Sequence, residues 1–545
     1  MNSSWADRRP TLWARVEHAP LDANLPALLD RAVAHHPERL FWQSIDGDAP
    51  PLRYAEFGRL SRLCAEGLHA RGVRKGSHVA LMLPNSAGFM LCWMALCRLG
   101  AVAVMVNTAS TSAEVERMLT TADVLFIVID REFLPAYEGI ASDRRLPEGH
   151  VIVHGTADGV PLAVDQVPWD ALVSGTETGQ RLPEVMPDDI ASIQFTSGSS
   201  GVPKACMLSH RYWLTLGKSR LSMGPEAQRM LIDSPMFYMG PLWRVIVAIH
   251  VGATLFVAKR YSLSRLFDRI LEHKIDFCSV TYPVAKLEED PRIAHSALKF
   301  VTTYGLSKEL HAGLERRLGV PVREIYGMTE VGSVLCMPVE DTSMVGSGSC
   351  GLPAPFRRCK VVAEGGADAP AGVAGELWVA GPGIFSGYYK DPEATARSFE
   401  GEWFKTGDLF MRDENGYHYM LGRIKDVIRR SGENISASEI ELTVNAIDGV
   451  LEVAAIPVAD ALRGEEVQVV VARAPGEAGR RLSAEAIVQA CQAALSPFKV
   501  PRYVQFVDVL PKTPTGKIDK NVLKRGAYGA DAAVHDARPD KKRSV

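Results

Sequence analysis

The stretch Phe195-Thr196-Ser197-Gly198-Ser199-Ser200-Gly201-Val202-Pro203-Lys204 decides how the chain reads. Ahead of it, Ile190-Ala191-Ser192-Ile193-Gln194-Phe195 has the length and composition of a short buried strand. Behind it, Cys206-Met207-Leu208 is a second apolar run, and Ser209 is placed to cap a helix that begins near His210. Between them, Gly198 and Gly201 permit positive φ and close approach of the backbone to a ligand. Thr196, Ser197, Ser199 and Ser200 add hydroxyls, and Lys204 adds a positive charge. Several donors and one cation on a loop suit a polyphosphate. By composition alone, a Ser/Gly loop is more often an ordinary surface connection. A Walker loop is excluded, because it needs Gly directly before the Lys and Ser or Thr directly after it. Pro203 and Ala205 stand there instead.

Length and composition bound the rest. A chain of 545 residues exceeds the usual single-domain size, so at least two domains are expected. A net charge of −3 argues against nucleic-acid binding as the main business. The nine cysteines include no C-x-x-C pair and read as reduced core thiols of a cytosolic protein. The start, Met1-Asn2-Ser3-Ser4-Trp5, lacks the apolar core of a signal peptide. The longest apolar stretch, Val245 to Ala258, includes His250 and is too short to span a bilayer. These features set the expectation of a cytoplasmic protein with no nucleic-acid partner and no membrane span.

Up to about Val185, and again from Asp233 to Val331, helical and strand patterns alternate. That alternation predicts an α/β fold with parallel sheets covered on both faces. After about Gly348 the pattern shifts to short alternating strands such as Gly375-Glu376-Leu377-Trp378-Val379, with Asp413-Glu414-Asn415-Gly416 as a hairpin turn. This reads as a small β-rich subdomain ending near Leu421. A compact α+β region follows Lys425, and the last twenty residues read as a disordered tail. The expected division is 1–424 for a large N-terminal domain, 425–525 for a small mobile C-terminal domain, and 526–545 for the tail.

Four further motifs carry chemistry. In Glu324-Ile325-Tyr326-Gly327-Met328-Thr329-Glu330, the Tyr326 ring can stack on a base and the Thr329 hydroxyl can reach a phosphate oxygen. Glu330 is a hard oxygen ligand suited to Mg²⁺. In Trp403-Phe404-Lys405-Thr406-Gly407-Asp408, an ionised Asp408 can accept two hydrogen bonds from vicinal hydroxyls. Gly422-Arg423-Ile424-Lys425-Asp426 leads into Ser431-Gly432-Glu433-Asn434, and Pro511-Lys512-Thr513-Pro514-Thr515-Gly516-Lys517 closes the set. Each alone is a turn, a strand end or a surface lysine.

Together, in this order, the motifs resemble the adenylate-forming superfamily of acyl-CoA synthetases, luciferases and adenylation domains. Ser199 and Ser200 stand where that family usually has Thr, and Ala205 where it usually has Gly. The resemblance implies ATP, Mg²⁺ and coenzyme A as cofactor and co-substrates, and a small-molecule carboxylic acid as substrate. It implies that residues 196–201, Lys204, Tyr326, Gly327, Met328, Thr329, Asp408 and Arg423 bind the nucleotide, and that Glu330 holds Mg²⁺. Lys517, Thr329, Glu330 and Lys204 would be catalytic, Lys425 the hinge, and Gly432 part of the coenzyme A tunnel. Tyr238, Met239, Trp243, Tyr304 and Gly305 would line the acid pocket, with Tyr282, Thr303 and Met328 nearby.

The implied reaction is carboxylic acid, ATP and coenzyme A to acyl-CoA, AMP and pyrophosphate through an acyl-adenylate. Tyr238 replaces the Asp with which amino-acid-activating relatives hold a substrate amine. Val301 to Leu310, the Tyr326-Gly327-Met328-Thr329-Glu330 segment and Ser431 to Asn434 look similar to the carnitine/crotonobetaine-CoA ligase branch, whose acid an aromatic pocket would hold by cation–π contact. Loading of a carrier protein, a luciferase-like oxidation and an inactive nucleotide-binding regulator are the alternatives. The resemblance leaves the acid, and whether the chain forms a homodimer, open.

Overall fold

The computed structural model describes residues 13–537 except 48, 156–161, 164–165, 197–202, 225, 307, 431–432, 461–462, 496, 498, 514–516 and 527–533. The α/β alternation builds two sheets. In one, Gln166–Pro168, Val151–His154, Phe126–Asp130, His78–Met82, Val102–Met105 and Ile190–Thr196 lie side by side in parallel, and Lys204–Ser209 closes the edge antiparallel. In the other, Val322–Met328, Phe300–Thr303, Phe277–Val280, Arg229–Ile232, Thr254–Val257 and Leu40–Ser44 form the parallel centre. Short antiparallel strands flank it, among them Gly332–Cys336.

The helices between the sheets show why the sequence folds this way. Ala87–Leu99 is apolar on every side, so it must be buried all round. Met90, Cys92, Met94 and Cys97 are each at most 1% exposed, which makes this Met/Cys cluster core packing. Ser86 caps the helix by accepting from Phe89 N at 3.2 Å, and Gly100 ends it at φ 63°. Eight of the nine cysteines are buried and all are free thiols. The expected cap at Ser209 is present: its hydroxyl accepts from Tyr212 N at 3.1 Å and starts His210–Arg220.

The β-rich subdomain is a five-stranded sheet of Arg358–Val362, Gly375–Ala380, Trp403–Arg412, Phe399–Glu400 and His418–Arg423. Its Asp413–Gly416 turn joins Trp403–Arg412 to His418–Arg423 as expected. The C-terminal region packs helices Ala437–Asn445 and Ala484–Ala494 on a sheet centred on Gly464–Arg473. One expectation is corrected here. The last twenty residues are not structureless throughout, because Val534–Asp536 pairs antiparallel with Tyr503–Val507. Arg502 fixes this strand by an ion pair to Asp536 at 3.1 Å. A run of three residues inside an Ala/Asp/Lys/Arg segment carries too little periodicity to read as a strand. No helix among the described residues is long and apolar enough to cross a membrane.

Candidate active site

Parallel strands leave their carboxyl ends on one side, and the candidate residues collect there. Thr196 ends one strand, Tyr326, Gly327 and Met328 end another, and Thr303 ends a third, with Tyr304 and Gly305 directly after it. The register Thr196↔Lys204 makes the Ser/Gly loop the tip of an antiparallel hairpin. Ser197, Gly198, Ser199, Ser200 and Gly201 of that tip lie outside the described residues, as does Gly432.

Glu330 sits in the turn after Met328, 6% exposed. Its Oε1 accepts from the Tyr388 hydroxyl at 3.1 Å and from Thr196 Oγ1 at 3.4 Å. Lys204 Nζ lies 4.4 Å from the centre of the Tyr388 ring. The structure thus brings Thr196, Lys204 and Glu330 together around Tyr388, with half-buried Thr329 beside Glu330. No group of three or more His, Cys, Asp or Glu suited to a metal occurs among the described residues. A lone carboxylate fits Mg²⁺, which keeps much of its shell for water and phosphate oxygens.

Asp408 is fully buried. Its Oδ2 accepts from the Tyr326 hydroxyl at 2.5 Å, and its Oδ1 lies 2.9 Å from Arg423 Nε across the strand pair. Oδ1 receives no well-aligned hydrogen bond, so an acceptor is left over in a dry place. Burial raises the Asp408 pKa above the usual carboxylate value, against the pull of Arg423 and Tyr326. The Tyr326 ring packs edge-on to Phe410, with centroids 4.9 Å apart. Gly327 is required sterically, because an added Cβ would sit 2.2 Å from Gly332 O.

Lys517 reaches this cluster from the C-terminal region. Its carbonyl accepts from Thr513 N at 2.7 Å, and Lys512 bridges to Ile518, which makes a narrow loop. Its side chain keeps contact with solvent, yet dehydration by the surrounding protein and then Arg423 lower its pKa, while Asp408 and Glu330 raise it. Lys517 therefore lies within electrostatic range of Asp408, Glu330 and Arg423. The backbone of Lys425 lies in the short turn Ile424–Asp426 between the β-rich sheet and the C-terminal sheet.

On the acid side, half-buried Tyr238 precedes helix Met239–Val251, and burial pushes its phenol up to about 12. Met239 Sδ accepts from Tyr212 OH at 3.1 Å, and Trp243 Nε1 donates to Tyr304 OH at 3.4 Å. Sequence reasoning missed two contributors. Glu324 accepts from Gly305 N and from Leu306 N, so it shapes the Tyr304 loop from beneath; burial holds its pKa up at about 8. Its place two residues before Tyr326 on one strand puts both on one face, and that was the available signal. Tyr388, whose hydroxyl donates to Glu330 at 3.1 Å, is the other. A crevice of about 1210 Å³ lies elsewhere, between Trp378 and Met420 of the β-rich sheet and Leu442 of the C-terminal helix. The converging charges, not the size, locate the chemistry.

Comparison with known proteins agrees with this geometry. Residues 29–389 match the AMP-binding enzyme family, and residues 439–517 match the C-terminal domain of AMP-binding enzymes. A crotonobetaine/carnitine–CoA ligase of Salmonella agona is 29% identical over 510 residues, covering 89% of this chain and 95% of that one. The long-chain-fatty-acid–CoA ligase FadD13 of Mycobacterium tuberculosis is 28% identical over 489 residues, covering 88% and 93%. Among solved structures, o-succinylbenzoate CoA synthetase of Bacillus subtilis, in complex with its acyl-adenylate, superposes with a TM-score of 0.79 at 25% identity. The match covers 93% of this chain and 99% of that one.

Proposed function

Because the chain belongs to the AMP-binding enzyme family and is an ATP-dependent, AMP-forming acyl-CoA ligase, we propose how its residues divide the two half-reactions. In the first, a carboxylate oxygen of the acid attacks the α-phosphorus of ATP and the bond to pyrophosphate breaks. The nucleophile is already an anion, so no general base is needed. The difficulty is bringing two anions together, which requires cations held in advance of the reaction. Lys204 and the hydroxyl of Thr196 face the β and γ phosphates. Lys517 faces the acid carboxylate and the α-phosphate. Glu330, steadied by Tyr388, would hold Mg²⁺, and that ion supplies further neutralisation of phosphate charge when bound. Asp408, with an acceptor oxygen to spare, takes the ribose hydroxyls, while Tyr326 and Arg423 keep it in place.

In the second half-reaction the thiol sulfur of coenzyme A attacks the acyl carbon, and the bond to AMP breaks. The turn at Lys425 lets the C-terminal domain rotate, withdrawing Lys517 and bringing the loop of Gly432 to the tunnel. Tyr238, Met239, Trp243 and Tyr304 line the acid pocket, held from below by Glu324.

The observation that carries this reading is the gathering of Thr196 and Tyr388 on the buried Glu330 carboxylate, with Lys204 Nζ over the Tyr388 ring. A panel of carboxylic acids, assayed for AMP formation with and without coenzyme A, tests it. AMP accumulating beyond one turnover only when the acid and coenzyme A are both present is the expected result. AMP formed equally without any acid would refute it.

A further inference from the structure

The loop that leads to Tyr238 belongs to one α/β sheet and is held by the other. Residues 233–238 connect the strand Arg229–Ile232 to helix Met239–Val251, so they deliver Tyr238 and Met239 to the acid side of the site. Within this loop Met236 and Phe237 are buried. A buried connection must find partners for its backbone groups away from water. One bond is internal, from Tyr238 N to Pro235 O at 3.1 Å. Ser234 O, Met236 N and Phe237 O are instead taken up by two side chains of the opposite sheet.

Asn85 holds the first two. It stands in the turn between the strand His78–Met82 and helix Ala87–Leu99, and it is buried. Its Nδ2 donates to Ser234 O at 3.0 Å, and its Oδ1 accepts from Met236 N at 2.8 Å. The other Nδ2 proton goes to Ala258 O at 3.0 Å, just past the strand Thr254–Val257. Both donor hydrogens of the amide are thus spent on the ends of two neighbouring strands. Gln194, also buried, holds the third group by donating from Nε2 to Phe237 O at 3.3 Å. It lies two residues before Thr196 on one strand, hence on the same face.

We propose that Asn85 and Gln194 are positioning residues for the acid: neither touches it, and together they set where Tyr238 stands. The proposal rests on the acyl-CoA ligase reading, with Tyr238 at the acid pocket, and deepens it. The Phe237 ring packs on the Tyr238 ring with centroids 4.4 Å apart, so a shift of the Phe237 backbone passes to Tyr238. Without the Asn85 amide, Ser234 O, Met236 N and Ala258 O lose their partner in a dry place, and the loop relieves that cost by moving towards water. The phosphate side does not hang on this loop. Thr196 and Lys204 are fixed by the backbone pairing of their own hairpin, and Glu330 by Tyr388. The loss should therefore fall on the acid and spare the nucleotide.

The test uses the full-length protein with ATP, Mg²⁺ and coenzyme A. AMP formation is measured with acetate, hexanoate, decanoate, benzoate and L-carnitine, and KM is then determined separately for ATP and for the acid used best. Asn85→Ala should raise KM for the acid by roughly ten- to a hundredfold and leave KM for ATP within about twofold of its starting value. Gln194→Met keeps the length of the side chain and removes one hydrogen bond, so it should raise KM for the acid by roughly three- to tenfold. If Asn85→Ala does not fold, Gln194→Met decides the matter alone. A merely structural pair would lower the melting temperature or kcat and leave both KM values in place, and that outcome overturns the proposal. So does a rise of both KM values together. A wild-type protein that turns over an acid, with its KM unmoved in the variants, sinks the positioning role and keeps the ligase reading. No turnover of any acid by the wild type would sink both.

Discussion

Replacing Lys517 by Ala separates the two halves of the reaction. The structure sets the size of the effect. Lys517 lies within electrostatic range of Asp408, Glu330 and Arg423, and dehydration by the surrounding protein lowers its pKa. A preorganised donor in such a place contributes about 3–4 kcal/mol to the transition state, or 10²–10³ in rate. Arg423 cannot substitute, because it is engaged with Asp408 at 2.9 Å. Lys517→Ala should therefore slow adenylate formation by roughly that factor. If the C-terminal domain then turns and withdraws this residue, the variant should convert synthetic acyl-adenylate and coenzyme A to thioester at a near-normal rate. Single-turnover assays of each half-reaction read the two rates. Equal collapse of both would refute the division of labour between two domain arrangements.

Lys204→Ala should raise the KM for ATP and slow adenylation by about tenfold or more, because a polyphosphate oxygen loses a charged partner; steady-state kinetics against ATP check this. Lys425→Pro fixes φ in the Ile424–Asp426 turn, so thioester formation should stall while adenylate still forms, as quenched-flow analysis would show. Gly327→Ala should cost about 1–3 kcal/mol of stability in denaturant unfolding, since its Cβ would press on Gly332 O at 2.2 Å. The pH profile of adenylation follows from the sign of the Lys517 shift. Its pKa is lowered and the ammonium form is the active one, so activity is present at neutral pH and is lost as pH rises through a value below the usual lysine range. Lys517→Arg should move that loss to higher pH.

Much of this was legible in the sequence because the motifs are local. Thr196 and Lys204 flank one hairpin, and Tyr326 to Glu330 occupy one strand end and its turn, so spacing along the chain is spacing in the site. Strand and helix patterns likewise placed the sheets, because buried parallel strands such as His78–Met82 are apolar throughout. What escaped was contact across distant segments. Tyr388 reaches Glu330 from 58 residues away, and Arg220 meets Trp243 through a fold that no period reveals. Glu324 looked like a strand residue, and its role depends on the backbone of Gly305 and Leu306, which only the register of two adjacent strands brings above it. The pairing of Val534–Asp536 is a case of the same kind, decided by an edge that only the folded sheet offers.

Adenylation here is attack of the acid's carboxylate on the α-phosphorus of ATP. Acid labelled with ¹⁸O in both carboxylate oxygens, turned over with ATP, Mg²⁺ and coenzyme A, tests it directly. Attack at the α-phosphorus followed by thiol attack at the acyl carbon leaves one labelled oxygen on AMP and none on pyrophosphate. Label in inorganic phosphate with release of ADP, or AMP formed without label, would contradict it.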